Sequence, residues 1–540
     1  MLARIFRRSL GLAAALLLVA RHVAAQASAT LPPGDPAHLD LARLRALGLV
    51  DSLVAGQRPV SRATVDRAIR EAGARLRARV AAGDASLADA AQAILTRLAW
   101  EGTPSVPLVH RAFAEVTSLD GAPRRILVDN GLGGIDAFLN PPVGDRAGLA
   151  YGNGTTSSLE SAHEWTPNRA LAFVLQPRAS YGPPLRDGST GATGSIERAF
   201  VRAALGNLSV QVGRDHLAWG QGRGGGSLFA TGGPALDMVL VGHERPLVLP
   251  WVLRLLGPTQ LSLAVARLDG AQNFPNPYVV AYKASILPAG WLELGAMAYT
   301  KGGGRGAPGA SFADRVLDAT QLFDVVFRGD DDYQFSDKYA GVDFRLRAVP
   351  VGAELYGELL FNDLDFRRFG SSMTEDASHV LGIWFPRLDG AGRVDGSVEV
   401  RHTGIRQFRH HQFTSGQVVR GRLLGDPLGP DARGAYLSVG WRPSTWRALA
   451  LEIAAEERRA DEYTDVTGGA RTIDFERVLA RPRERRWRGV ASWSSAFRGG
   501  AGRVRLDGGI ERTLDWANVA GEHRTGGLGR VSVELRAWPR

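Results

Sequence analysis

Apolar and polar residues alternate with a period of two along most of the chain from about residue 110 onward. Clear runs lie at residues 200–205, 208–212, 261–267, 291–299 and 531–538. Successive side chains of a β-strand point to opposite faces, so each run predicts a strand with one apolar row and one polar or small row. Because the alternation continues almost to the last residue, the sequence predicts a closed antiparallel sheet.

The segment before this alternation has a period near 3.6. Asp35 can cap a first helix, Ser61 can cap a second, and Asp84 or Ser86 can start a third. Residues 28–105 are therefore predicted to form a small bundle of short amphipathic helices. Such a bundle needs a partner surface to cover its apolar faces.

The first 27 residues have the organisation of a secretory signal peptide. Arg4, Arg7 and Arg8 precede a short apolar run, and small residues follow around Ala25. The run is well short of the ~20 residues that a membrane-spanning helix needs, and no later apolar stretch is long enough. We therefore expect export through a cleaved signal peptide, which leaves a soluble protein or a membrane β-barrel.

Size and glycine content favour the barrel over a secreted soluble β-protein. The chain has 540 residues and 66 glycines, and its many strands show no obvious second domain. In lipid a barrel pairs every backbone polar group because it has no free edge. Residues 106–540 are thus predicted to form an all-β transmembrane barrel of antiparallel strands. Interfacial girdles are expected from aromatic residues at strand ends: Trp291, Tyr299, Trp441, Trp446, Trp487 and Trp538.

The net charge and the absence of cysteine limit the classes of partner and metal site that the protein can have. The net charge is +10, and Lys283, Lys301 and Lys338 are the only lysines, so almost all of the positive charge is arginine. Export argues against a nucleic-acid partner. Guanidinium groups suit the phosphates of lipopolysaccharide or the carboxylates of acidic polysaccharide. The sequence has no cysteine, which excludes disulfides and thiolate metal sites.

No catalytic or metal-binding motif is evident. His163 and His243 each precede a glutamate but lack the second histidine of a zinc-protease motif. His410 and His411 are adjacent, so on a strand their side chains point to opposite faces. The acidic run at residues 330–332 lacks the spacing of a calcium loop and is interpreted as a solvated extracellular loop. We expect no catalytic residue, no metal site and no cofactor.

Two regions carry distinctive motifs. The first covers residues 44–62, and the second covers residues 213–258, with a glycine-rich run at 222–226. Together they resemble the capsule assembly family called Wzi. Val60 stands where the family commonly has tyrosine, and residues 304–337 match no family motif. The residues that carry the resemblance are Gly56, Arg58, Pro59, Gly213, Arg214, Trp219, Gly220, Asp237, Trp251 and Gly257.

The resemblance implies a large outer-membrane barrel of about eighteen strands with the helical bundle near the periplasmic mouth. It also implies that the protein binds capsular polysaccharide, organises it at the cell surface and has no enzymatic activity. Residues 106–540 are long enough for that many strands at ~10 residues each. Expected partners are surface polysaccharide, lipopolysaccharide with outer-membrane lipid, and periplasmic export machinery.

Arg214, Trp219 and Arg223 form the densest candidate site for polysaccharide. An aromatic ring can lie under the C–H face of a sugar while guanidinium groups pair with uronate carboxylates or pyruvate groups. A structural alternative is that Arg214 pairs with Asp215 inside the barrel and that Trp219 joins a girdle or plugs the lumen. The sequence leaves both interpretations open.

The leading hypothesis is a non-enzymatic outer-membrane protein that binds surface polysaccharide. A porin-like channel for anionic solutes is the alternative, and an outer-membrane enzyme acting on lipid or glycan is a third hypothesis. An open lumen favours transport, whereas a lumen plugged by side chains and loops favours binding. Ion conductance of the reconstituted protein distinguishes these two.

Overall fold

The computed structural model describes residues 27–102, 108–120, 124–127, 129–139, 153–183, 191–321, 336–362, 372–467 and 473–537. Almost all of the expected signal peptide, the acidic run at 330–332 and Trp538 lie outside these ranges. Within them, no helix is both long enough and apolar enough to cross a membrane.

Eighteen antiparallel strands in the described ranges close into one barrel. Each strand pairs with its neighbours in chain order, and the last strand pairs with the first through partners such as Arg111 and Arg536. The prediction of an all-β transmembrane barrel is therefore confirmed. The strands are β1 (Leu108–Leu119), β2 (Gly154–Asn168), β3 (Leu171–Gly182), β4 (Gly191–Leu205), β5 (Leu208–Asp215), β6 (Leu236–His243), β7 (Pro258–Arg267), β8 (Tyr278–Ala289), β9 (Leu292–Gly302), β10 (Ser336–Ala348), β11 (Ala353–Asn362), β12 (Ser378–Phe385), β13 (Val394–Thr403), β14 (Ala432–Ser444), β15 (Arg447–Arg458), β16 (Glu484–Phe497), β17 (Gly502–Leu514) and β18 (His523–Ala537).

The alternation of each strand separates a lipid-type outer face from a polar lumen. In β13, Val398 and Val400 are exposed on the outside, whereas Ser397 and Glu399 are buried on the inside. Exposed valine, leucine and isoleucine side chains continue around the barrel in the same way. A barrel presents such an apolar outer band to the hydrocarbon core of a bilayer.

Strand parity also decides which aromatic residues reach the outside. Trp291, Trp441 and Trp487 are exposed, as expected for girdle residues. Tyr299 is fully buried, so its assignment to a girdle is wrong. It shares the inward row of β9 with Glu293, and its ring lies 5.8 Å from that of Phe229 inside the lumen.

Three helices precede the barrel: α1 (Ala37–Ala46), α2 (Arg62–Ala81) and α3 (Ala88–Leu98). The Asp35 carboxylate accepts a hydrogen bond from the Ala37 N–H (2.9 Å), and the Ser61 hydroxyl accepts one from the Thr64 N–H (3.3 Å). The predicted capping of the third helix by Asp84 or Ser86 is wrong, because Leu87 occupies the N-cap position. The helices share an apolar core of Leu41, Leu44, Val65, Ile94 and Leu98.

The two ends of the barrel differ in the length of their connections. At one end the turns are short, as between Asn168 and Leu171 and between Leu205 and Leu208. Most connections at the other end are longer, and several of them fold inward. Outer-membrane barrels have short turns on the periplasmic side and long loops outside. The helical bundle sits at the short-turn end, where the Trp100 ring lies against Gly500 in a turn.

Candidate functional site

The connection between β5 and β6, residues 216–235, folds into the lumen; we call it the plug loop. Trp219 is only 2% exposed, and its ring meets Phe229 edge-on at 5.4 Å. Phe229 in turn contacts Tyr299 on the wall of β9. Burial of these aromatic rings gives the loop a hydrophobic core of its own.

The plug loop meets the N-terminal segment inside the barrel. The two-residue strand Gln57–Arg58 pairs antiparallel with Ala218–Trp219. Beside this pair, the N–H of Gly220 donates to the carbonyl oxygen of Gly56 at 3.0 Å. The two sequence regions that carry the family resemblance are therefore in direct contact, and together they bridge the lumen.

A buried carboxylate on the wall holds both segments. Glu293 is fully buried on β9, forms an ion pair with Arg45 (3.0 Å) and accepts a hydrogen bond from the Gly56 N–H (2.9 Å). Gln221 of the plug loop donates to the same carboxylate at 3.0 Å. Burying a carboxylate is costly unless it is paired and hydrogen-bonded, and here the crossing segments supply the partners.

Glycine allows the plug loop to lie close to β11, two strands away from β9 in the same part of the wall. Gly220 has a φ of 130°, and a Cβ there would overlap the Glu358 carboxylate and the Gly226 backbone. The N–H of Ser227, the residue after Gly226, donates to the Glu358 carboxylate at 2.7 Å. The turn therefore requires glycine both for its conformation and for its close approach.

A buried histidine begins the plug loop. Nδ1 of His216 lies 3.0 Å from the carbonyl oxygen of Gly233 near the end of the loop. Burial lowers the pKa of His216 to about 4, although the adjacent Asp215 carboxylate opposes that change. The neutral ring at neutral pH then donates from Nδ1 to the carbonyl and ties the two ends of the loop together.

A second inward connection packs beside the plug loop. It covers residues 404–431, and Phe408 and Phe413 within it are fully buried. Asp426 of this segment forms an ion pair with Arg401 on the wall at 2.6 Å. The backbone carbonyl of Leu424 accepts a hydrogen bond from Ala230 of the plug loop at 3.2 Å. Two connections thus fill the same side of the lumen.

Ion pairs fix the helical segment in the short-turn mouth. Glu101 contacts three arginines: Arg62 (3.3 Å), Arg111 on β1 (2.6 Å) and Arg536 on β18 (2.5 Å). Burial alone raises the pKa of Glu101, but the three guanidinium groups hold it well below its usual range. The carboxylate therefore stays charged and links the helices to the point of barrel closure.

Another part of the lumen contains a cavity. A cavity of about 390 Å³, here called the chamber, lies between the helical segment and the walls formed by β14–β18 and β1–β3. It extends from the turn at Thr445 to Arg178 and Arg223. Its volume falls within the ~300–1,000 Å³ range of small-molecule sites. Small wall residues make the space: Ser438, Gly440, Ala450, Ser492, Ser494 and Ser532.

Most arginines around the chamber are already paired with carboxylates. Arg178 pairs with Glu160 at 2.6 Å, and Arg530 donates to Asp507 at 2.7 Å. Arg505 also pairs with Asp507, at 2.9 Å. These pairs offset much of the positive charge of the wall.

Arg223 of the plug loop is different. Its guanidinium donates to the hydroxyls of Ser397 (2.5 Å) and Ser438, and no carboxylate of the described residues lies within ion-pair distance. The side chain is exposed to the chamber, while its backbone N–H donates to Glu399 at 2.9 Å. This arrangement places a solvated cation beside hydroxyl groups, which can bind a carboxylate and a sugar hydroxyl side by side.

The structure does not bring the predicted cluster together. Arg214 lies on the outer face of β5 and donates to both oxygens of Asp237 (2.6 and 2.8 Å). Trp219 is buried in the plug loop, and only Arg223 reaches the chamber. The alternative pairing of Arg214 with Asp215 is also wrong, because adjacent strand residues point to opposite faces. Asp215 pairs instead with Arg198 at 2.7 Å.

The remaining motif residues occupy structural positions, some at the ends of the barrel and some inside the lumen. Gly213 on β5 pairs with Met238 on β6 at the long-loop end. Trp251 is 88% exposed in the connection from β6 to β7, which ends at Gly257. Arg58 donates to the carbonyl oxygen of Pro33 at 3.3 Å and precedes Pro59 through a cis peptide bond.

The structure also identifies functional residues that sequence reasoning missed. Glu293 is not among the residues predicted from the sequence, although its place on the inward row of an alternating strand is a usable signal for a buried wall carboxylate. His410 and His411 stack with ring centroids 4.3 Å apart. The described residues contain no group of three or more histidine, aspartate or glutamate side chains arranged to hold a metal ion.

Comparisons with known proteins agree with this architecture. The family model described as capsule assembly protein Wzi matches residues 137–525. Among solved structures, Wzi of Escherichia coli, an outer-membrane protein involved in group 1 capsule assembly and described as a carbohydrate-binding β-barrel, has 16% identity and a TM-score of 0.65. The alignment covers 94% of this chain and 99% of that one, which shows a shared fold.

Two further solved structures are less similar. OprD of Pseudomonas aeruginosa has 9% identity and a TM-score of 0.41, and the alignment covers 80% of this chain and 93% of that one. OccAB1 of Acinetobacter baumannii has 10% identity and a TM-score of 0.42, with 80% and 97% covered. No curated protein matches the chain.

Proposed function

Because the chain belongs to the capsule assembly protein Wzi family, we propose that it is a non-enzymatic outer-membrane protein that binds capsular polysaccharide. Its role is to assist the assembly or attachment of that polysaccharide at the cell surface. The carbohydrate binding described for the Escherichia coli barrel of similar fold supports this proposal. Export through a cleaved signal peptide and contact with export machinery are further parts of the same proposal.

The observation that carries the proposal is the bridged lumen. Gln57–Arg58 and Ala218–Trp219 pair inside the barrel, and Glu293 binds both segments. A porin needs a continuous aqueous path, whereas these contacts come from segments that enter the lumen from opposite ends. The arrangement therefore favours binding over the alternative of a channel for anionic solutes.

The chamber favours an acidic saccharide as ligand. Arg223 has hydroxyl partners and no carboxylate partner among the described residues, so its charge is available to a uronate or pyruvate group. Ser438, Ser492 and Ser494 on the wall can exchange hydrogen bonds with sugar hydroxyls. Of the three residues predicted from the sequence, Arg223 is the one we retain as a ligand contact.

Conductance and ligand retention together test the proposal. We expect the protein reconstituted in planar bilayers to show little ion conductance, because the crossing segments interrupt the lumen. The same preparation should retain purified acidic capsular polysaccharide and release it as salt is raised, since guanidinium–carboxylate pairs are screened. An open anion-selective pore without retention would instead establish the porin alternative.

A further inference from the structure

The outer face of the barrel changes from polar to apolar side chains at the long-loop ends of β5–β8. Two neighbouring rows of outward residues run across these four strands, one polar and one composed entirely of valine. The polar row is Arg214, Asp237, Arg267 and Tyr278, and the valine row is Val212, Val239, Val265 and Val280. A charged row directly beside an apolar row is the profile of a membrane interface.

A loop turns this interface into a groove. The connection that contains Arg305 and the helix α4 (Phe312–Thr320) adjoins the polar row, and a groove of about 680 Å³ lies at this position. Val212, Val239 and Val265 form an apolar part of its lining. The groove is therefore continuous with the apolar band that faces lipid.

Three exposed arginines also line the groove. Arg267 ends β7, Arg305 lies in the loop and Arg315 lies on α4. No carboxylate of the described residues lies within ion-pair distance of their guanidinium groups, whereas Arg214 nearby is saturated by Asp237. Exposed cations that line one groove beside an apolar surface suit an anionic amphiphile as ligand.

We propose that this groove binds the lipid A part of lipopolysaccharide, with its phosphates on Arg267, Arg305 and Arg315 and an acyl chain along the valine row. The inference rests on the outer-membrane location proposed above. Lipid A carries phosphates and several acyl chains on one headgroup, which matches several guanidinium groups beside an apolar floor. A phospholipid with a single phosphate neutralises fewer of these charges.

The experiment measures lipid retained by the purified full-length protein in detergent, using native mass spectrometry. The probes are deep-rough lipopolysaccharide, the same lipid after dephosphorylation, phosphatidylglycerol, and inorganic phosphate as a competitor. The test variant combines Arg267→Gln, Arg305→Gln and Arg315→Gln. Its matched control combines Arg433→Gln, Arg485→Gln and Arg512→Gln, which remove the same charge from outward positions near the long-loop ends of β14, β16 and β17.

We expect the test variant to retain at least about tenfold less lipopolysaccharide than the wild type, because charge-assisted phosphate contacts are lost. The control should retain it normally, and the dephosphorylated lipid should bind poorly to the wild type. Equal retention by the test variant overturns the proposal. So does binding of phosphatidylglycerol as strong as that of lipopolysaccharide, or displacement by inorganic phosphate alone.

Retention of capsular polysaccharide, measured on the same samples, separates the two proposals. The test variant should keep it, because the groove lies on the outer face and the chamber lies inside. Loss of lipopolysaccharide with capsule retained supports the groove. If the wild type binds lipopolysaccharide but does not retain capsular polysaccharide, the proposed function is contradicted and the proposal of a lipid A groove is not.

Discussion

The two halves of the lumen are built from the same alternating strands but have opposite contents. Around β9–β11 the inward row carries large charged residues, and Glu293 and Glu358 are buried against the plug loop. At the short-turn ends of β14–β16 the inward row carries small residues such as Ala450, Ser492 and Ser494, and the chamber lies over them. Nearer the long-loop end of β16 the same row carries buried, paired arginines, Arg486 and Arg488. The difference reflects which segments cross each half.

The residues on the inward face of the barrel indicate what lies next to them. A buried wall carboxylate is stable only when N–H groups or cations reach it. Where backbone N–H groups of another segment supply the partners, as at Glu293 and Glu358, the carboxylate marks a crossing segment. A run of small inward residues leaves space that water or a ligand occupies. Removing a wall carboxylate should therefore lower the free energy of unfolding more in the half that the plug loop crosses than in the half that contains the chamber.

The largest effect is expected from Glu293→Ala. The substitution leaves Arg45 buried without its partner and removes acceptors for both crossing segments. Loss of one partner of a buried ion pair costs about 3–5 kcal/mol, so the free energy of unfolding in denaturant should fall by that order. Because the plug loop is loosened, conductance of the folded fraction should rise.

The chamber half supplies the control for this change. Glu452→Ala removes a carboxylate from β15, where the side chain is only half-buried. Glu452 interacts with Arg488, but solvent screens a half-buried carboxylate, so we expect a decrease of about 1 kcal/mol or less. Equal losses for the two variants would show that the halves do not differ in the way the structure indicates.

An intermediate effect is expected within the glycine-rich run of the plug loop. Gly220→Ala places a Cβ against Glu358 and Gly226 at a positive φ, whereas Gly224→Ala meets only the end of Arg401 at 3.6 Å. We expect Gly220→Ala to destabilise by about 1–3 kcal/mol and Gly224→Ala to be close to neutral. Protease accessibility of residues 216–235 reports the same difference.

A result in which both alanine variants behave alike would contradict the close approach at Gly220. The pair is informative because the two positions share one loop and one substitution. Differences in the unfolded chain are therefore nearly equal for both.

The barrel itself could be predicted from the sequence because strand alternation and helix caps are local signals. The alternation at residues 261–267 and 291–299 predicts strands that the structure contains, and Ser61 caps its helix as expected. The same period assigns Tyr299 to one row but does not say which row faces the lumen. That choice depends on the pairing of the whole sheet.

The site could be predicted only in part, because its contacts join distant segments. Trp219 and Arg223 belong to one loop, yet one packs inside it and the other faces the chamber. Nothing local indicates that the loop folds inward or that Gly56 meets Gly220. The separation of Arg214 from Asp215, by contrast, follows from strand geometry alone and was available from the sequence.

Arg223→Ala is expected to have a small effect on stability and to reduce ligand binding in the chamber. The side chain is exposed to the chamber, and its partners among the described residues are two serine hydroxyls and no carboxylate, so the free energy of unfolding should fall by about 1 kcal/mol or less. The backbone N–H that binds Glu399 is retained, so the plug loop keeps this contact with the wall.

Retention of an acidic saccharide by the Arg223→Ala variant should nevertheless fall, while that of a neutral saccharide should not change. Arg223→Lys keeps the charge but not the planar fork, and should retain an intermediate amount. If Arg223→Ala retains acidic saccharide like the wild type while Glu293→Ala opens the lumen, the chamber is a structural void and the ligand binds elsewhere on the protein.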